Sequence, residues 1–154
     1  MRYRGAETRS RRTWLAAGLL ALALAAFAAV PSAQAPPAFE VQEATILEIH
    51  AAMRAGRLSC RALVEQYLRR IDTYDKNGPG LNAIVVTNPD ALRLADELDR
   101  RFAAGGPVGP LHCVPMIVKD NFETIGLQTA NGSLALAGFV SPHDAFQAAR
   151  AEDA

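Results

Sequence analysis

The chain carries apolar residues in three different patterns, and each predicts a different kind of element. Trp14 to Val30 is one unbroken stretch without a charged residue. From Thr45 onward, apolar positions recur at helical spacing. Thr45 with Glu48 three residues later reads as a capping box, for a helix with Ile46, Ile49 and Met53 on one face and Gly56 at its end. Ser59 caps a second helix, with Leu63, Val64, Tyr67, Leu68 and Ile71 inward and Glu65, Gln66, Arg69 and Arg70 outward. Lys76-Asn77-Gly78-Pro79-Gly80 stops it. Asn88 as N-cap and Pro89 in the first turn open a third helix that runs to about Phe102. Leu92, Ala95, Leu98 and Phe102 face inward, Asp96, Asp99 and Arg100 outward, and Gly105-Gly106-Pro107 terminates it.

The third pattern is the short apolar run without alternation, at Leu81–Thr87 and again at Val114–Val118. Such runs predict strands covered on both faces. A small-residue helical stretch follows near Ser133–Gly138. The order helix, helix, strand, helix, strand predicts an α/β fold, part of a sandwich of sheet and helices.

The N-terminal stretch is set apart by its flanks. Met1 to Arg12 holds five arginines and one acid, Glu7; Pro31 closes the apolar run, and Ala33-Gln34-Ala35 supplies an A-x-A step. This predicts an export signal over residues 1–35. Ser10-Arg11-Arg12-Thr13-Trp14-Leu15 resembles a twin-arginine motif, and the mild hydrophobicity of the run suits it. The alternative is a general secretory signal with a coincidental arginine pair. Pro36, directly after the cut, tends to resist signal peptidase, and an uncut segment would serve as an N-terminal membrane anchor, though a short one. Residues 36–44 read as a linker and 45–154 as the domain proper, in an exported, periplasmic or secreted protein.

Without residues 1–35, five arginines and Glu7 are gone, leaving 11 basic against 15 acidic residues and a net charge of −4. With no basic patch and few aromatics, nucleic-acid binding has no support. Cys60 and Cys113 are the only cysteines, and His50, His112 and His143 are scattered, so no pair has metal-ligand spacing and neither a metal nor a cofactor is expected. An oxidising compartment allows Cys60 and Cys113 to pair. Nothing in the sequence brings them together, however, and the expectation is two separate small buried residues.

The candidate chemistry lies in Gly109–Ser133, G-P-L-H-C-V-P-M-I-V-K-D-N-F-E-T-I-G-L-Q-T-A-N-G-S. Lys119 closes an apolar run and precedes Asp120 and Asn121. A cation at the end of a buried strand is costly unless paired or neutralised, and a desolvated lysine can act as a base near neutral pH. The bland alternative is a surface lysine paired with Asp120 or Glu123. Asp120 and Asn121 are expected to fix the backbone after Lys119 by local hydrogen bonds. His112 reads as a structural hydrogen-bonding residue, directed away from Cys113 if the local chain is extended. Ser133, in Asn131-Gly132-Ser133, lacks the G-x-S-x-G elbow and reads as a helix cap for Leu134–Gly138.

This block resembles the lysine-bearing block of the amidase signature family, hydrolases built on a Ser–cis-Ser–Lys triad. The resemblance runs from about Glu43 to Phe146. It includes Leu58-Ser59-Cys60-Arg61-Ala62-Leu63 with Tyr67-Leu68-Arg69-Arg70-Ile71, Leu81-Asn82-Ala83-Ile84, and Asn88-Pro89-Asp90-Ala91-Leu92. Gly109-Pro110-Leu111-His112 leads into Val118-Lys119-Asp120-Asn121; Gly132–Ala137 and Asp144-Ala145-Phe146 follow. It implies the N-terminal part of the amidase signature fold, a mixed sheet covered by helices, and hydrolysis of an amide C–N bond, with Lys119 as the catalytic base. Cys113 stands where many members have glycine, a residue that adopts positive φ freely.

Both serines of the family's triad belong to a later serine-rich block, so the resemblance implies an incomplete domain, inactive alone. The alternative is an exported, non-catalytic binding remnant of a hydrolase fold. Family members act on small-molecule, peptide and fatty amides, and some on glutamine for a tRNA-bound acceptor. An export signal argues against that last role.

Overall fold

The computed structural model describes residues 38–154. The expected export signal and the start of the expected linker lie outside the described residues. Within them the helices follow the sequence closely. Helix α1 spans Ile46–Arg54, and its capping box is formed: the Thr45 hydroxyl accepts the Glu48 amide, and the Glu48 carboxylate accepts the Thr45 amide at 2.8 Å. Ile49 and Met53 are buried, while Ile46 is 40% exposed. Gly56 follows with φ +65°, a turn that a residue with a Cβ adopts only at a cost. Val41 is buried and Phe39 packs beside the core, so part of the expected linker belongs to the packed unit.

Helix α2, Cys60–Arg70, is capped by Ser59, whose hydroxyl accepts the Ala62 amide at 3.0 Å. Its last turn widens into a π-helical segment, Ile71–Lys76. Helix α3, Ala91–Gly105, packs against α2. It starts two residues later than Asn88-Pro89 suggests, because the Asn88 carboxamide takes the Asp90 amide at 2.8 Å in a separate turn before the helix begins. Ile49, Met53, Leu63 and Ala95 form the centre of the core, with Leu98 and Phe102 against it.

The strand expectations are corrected. Among the described residues no strand ladder forms, and β pairing is limited to an isolated antiparallel bridge between Gln128 and Val140. Segments 81–87 and 114–118 have no partner edge to satisfy their amides and carbonyls, and a strand exists only through such a partner. Their apolar side chains are accordingly exposed, Leu81 at 69% and Ile117 at 83%. The expected helix near Ser133–Gly138 is one 3-10 turn, Leu134–Leu136; Ser133 stands at its start but makes no side-chain capping bond. A last short helix, α4, spans Phe146–Glu152. None of the described helices is long and apolar enough to cross a membrane.

Candidate active-site segment

Lys119 sits at the end of the extended segment 114–118 and is exposed. The buried strand end inferred from the sequence is therefore not its setting among the described residues, because Met116, Ile117 and Val118 beside it are themselves uncovered. Nor does it pair with its acidic neighbours. Glu123 Oε2 lies 2.7 Å from His143 Nε2, and Asp120 is taken up by backbone amides.

Those amides are what holds the lysine segment in place. Asp120 Oδ1 accepts the Ala130 amide at 3.0 Å and Oδ2 the Gly132 amide at 3.4 Å. Its backbone carbonyl accepts the Asn131 amide at 3.0 Å. The expected fixing role of Asp120 is met, but across ten to twelve residues rather than locally. Asp144 accepts the Ile125 amide at 2.7 Å, and the Glu123 carbonyl accepts the Ala145 amide at 2.8 Å. Three sequence blocks, around residues 119, 132 and 144, are thereby knitted together. An open depression of about 390 Å³ lies against them, lined by Asn121, Glu123, Thr129, Asn131 and Phe139.

A second cluster lies behind this segment, and the sequence concealed it. Cys60 and Cys113 are joined by a disulfide across 53 residues, with Cα atoms 5.3 Å apart. Both are buried, as expected, but they are not separate. The pairing links the first turn of α2 to the start of the lysine segment. Residues 110–113 form a turn rather than an extended strand, which brings His112 to the same side as Cys113. Cys113 takes φ +60°, the conformation anticipated from glycine's preference there.

His112 is buried, stacked on Phe102 with ring centroids 5.6 Å apart. Its Nε2 lies 3.7 Å from Cys60 Sγ, its backbone carbonyl meets His50 Nε2 at 2.9 Å, and its Nδ1 has no hydrogen-bond partner. Burial pushes its pKa below the ordinary histidine value. His50 acts in the same direction, and the Asp99 carboxylate opposes them. Burial thus disfavours the charged form of the ring, and the hydrogen bonds of this residue are made by its backbone, the carbonyl with His50 and the amide to the Gly109 carbonyl at 3.2 Å.

Asp99, expected outward on α3, caps α2 instead. Its carboxylate accepts the Cys60 amide at 2.7 Å and the Arg61 amide at 3.1 Å. Asp75 does similar work for segment 81–84. Nearly buried, it accepts the Ala83 amide at 2.6 Å and the Ile84 amide at 3.3 Å, with Lys76 Nζ at 3.0 Å. A lone acid in a helical pattern gives no sign of which distant amide it will meet.

Comparison with known proteins gives one answer. The family model described as Amidase matches residues 62–154. The chain is 43% identical over 115 residues to a glutamyl-tRNA(Gln) amidotransferase subunit of Alkalilimnicola ehrlichii, covering 74% of this chain and 23% of that protein. It is 42% identical over 107 residues to a putative amidase of Schizosaccharomyces pombe, covering 69% and 18%. Among solved structures, the native peptide amidase of Stenotrophomonas maltophilia superposes with a TM-score of 0.69 at 42% identity, covering 72% of this chain and 23% of that one. The chain thus spans about a quarter or less of the length of the relatives it matches.

Proposed function

The chain belongs to the amidase family and carries part of the amidase signature fold, and from that premise we propose that it supplies the lysine base of an exported amide hydrolase. The observation that carries this reading is the Asp120 clamp, which fixes the residue after Lys119 to the Gly132 block. In such a reaction the unprotonated Lys119 amine takes a proton from one serine, which activates a second. The second serine attacks the amide carbonyl, the amine leaves, and water releases the acid. A lysine base needs a lowered pKa, which comes from burial. The exposed apolar flank Met116-Ile117-Val118 supports a covering layer that would bury it. Both serines would come from the part of the relatives that this chain does not span.

Export is part of the proposal. It rests on the arginine-flanked apolar stretch before Pro31, and the Cys60–Cys113 disulfide is in keeping with an oxidising compartment. The test is a segment exchange. Glu43–Phe146 would replace the aligned segment of the Stenotrophomonas maltophilia peptide amidase, with ammonia release from a peptide amide as readout. Activity is expected in the exchanged protein, and Lys119→Ala should lower it by about a thousandfold. An active exchange protein indifferent to Lys119→Ala sinks the assignment.

A second reading is an exported binding module that retains part of the fold. The capped and disulfide-linked helical core favours it. An exchanged protein that folds but releases no ammonia from the peptide amide would support this second reading.

A further inference from the structure

We propose that Cys60, Cys113 and His112 form a redox-gated site for a thiophilic divalent cation such as Zn²⁺, closed in the disulfide form and open in the dithiol form. One donor atom from each residue lies within 4.8 Å of the others, and all three residues are buried. Around a tetrahedral zinc ion with sulfur at about 2.3 Å and nitrogen at about 2.0 Å, a sulfur and a nitrogen stand about 3.5 Å apart. His112 Nε2 already stands 3.7 Å from Cys60 Sγ. Two thiolate sulfurs on the same ion would stand about 3.8 Å apart, a separation that χ1 rotation of each cysteine can open.

The second observation is the histidine itself. A buried polar ring normally finds hydrogen-bond partners. Here Nε2 faces only the sulfur of Cys60, a weak partner, while Nδ1, which keeps the ring proton when Nε2 ligates, is unpaired with or without the cation. The ring is nonetheless held in place by the Phe102 stack and by the His50 contact to its carbonyl. A metal bond at Nε2 gives this nitrogen a strong partner without moving the ring. Charge balance suits the location too. Two thiolates, one neutral imidazole and a divalent cation sum to zero, which lowers the cost of burial. A bare dithiolate beside the Asp99 carboxylate would have no such compensation.

The gate is a two-electron step. A phosphine reductant attacks one sulfur and breaks the S–S bond. Water's oxygen ends on phosphorus as the phosphine oxide, and its two protons end on Cys60 and Cys113. The cation then displaces both thiol protons into solvent and takes His112 as third ligand, with a water in the fourth position. Disulfide and metal exclude one another because both use the same sulfur electron pairs. This inference does not depend on the amidase proposal.

The experiment uses the 154-residue chain, oxidised or reduced with a phosphine, titrated with Co²⁺ alone and then with Zn²⁺. The reduced chain should develop thiolate-to-cobalt charge-transfer absorption that saturates at one ion per chain and bleaches with Zn²⁺. The oxidised chain should show none. Cys113→Ser and His112→Gln should each weaken binding by roughly tenfold or more. X-ray absorption of the reduced wild-type chain with zinc decides the matter even if those variants fail to fold. Two sulfurs and at least one imidazole nitrogen are expected. A shell without sulfur, no charge-transfer band on reduction, or the same band in the oxidised chain would overturn the proposal.

Discussion

The Asp120 carboxylate accepts the Ala130 amide at 3.0 Å, so the residue after Lys119 is tied to the turn that contains Gly132. A hydrogen bond to an ionised group contributes about 1.5–3 kcal/mol, and more is lost when an amide is left without a partner. Asp120→Ala should therefore loosen this part of the chain by about 2 kcal/mol. Amide exchange at Ala130 and Gly132 should speed up, while exchange within α1 stays unchanged. Equal exchange at Ala130 in both proteins would mean that the clamp does not hold the turn.

Asp99 is the cap that links α3 to α2. Its two carboxylate oxygens take the Cys60 and Arg61 amides, donors that a helix start leaves without an internal partner. Replacing such a cap costs about 1–2 kcal/mol. Asp99→Ala should lower the melting temperature accordingly. Asp99→Asn keeps one acceptor oxygen and should retain about half of the effect. A variant series in which all three proteins melt together would show that the Ser59 hydroxyl suffices as the cap.

These contacts mark what was legible in the sequence. Thr45 with Glu48, Ser59 with Ala62, and Gly56 act within a few residues of themselves, and local chemistry alone discloses each of them. Asp99, Asp75 and the Cys60–Cys113 pair act across 8 to 53 residues, and only the fold sets those distances. The apolar runs at 81–87 and 114–118 mislead for a related reason. Their composition reports that they are to be covered, whereas a strand also requires a neighbouring edge, and the described residues provide none. For the candidate site, a bracing role for Asp120 was visible, but not its reach to Ala130 and Gly132. The burial of His112 beside Cys60 was not, because a turn at residues 110–113 reverses the direction that an extended chain would give.

Asp75 makes the stability of segment 81–84 depend on acid. Burial by itself would raise its pKa. The Ala83 and Ile84 amides and the Lys76 ammonium outweigh that and hold it below the ordinary carboxylate value. A carboxylate with a depressed folded-state pKa contributes stability that is complete above its unfolded value, about 3.9, and is lost as pH falls through the lower folded value. Segment 81–84 should therefore stay attached above about pH 4 and come loose as pH falls from there through the depressed folded value. The Ala83 amide resonance in an acid titration reports this directly. Asp75→Asn should remove that pH dependence, and a wild-type acid titration no different from that of Asp75→Asn would contradict the assignment.

Cys113 combines two effects that a pair of substitutions separates. The disulfide closes a 53-residue separation, for which chain entropy gives about 4 kcal/mol of stabilisation, so reduction should lower the melting temperature markedly. Cys113 also holds φ +60°, which costs a residue with a Cβ about 1–2 kcal/mol. Cys113→Ser and Cys113→Gly both abolish the bond, but only glycine relieves the backbone. Its greater unfolded-state entropy returns about 0.5–1 kcal/mol of that relief. Cys113→Gly should thus be the more stable of the two by about 0.5–1 kcal/mol, and both should be insensitive to reductant. Denaturant midpoints with and without a phosphine reductant check both statements. If the serine variant equals or exceeds the glycine variant, the positive φ at residue 113 is not a source of strain.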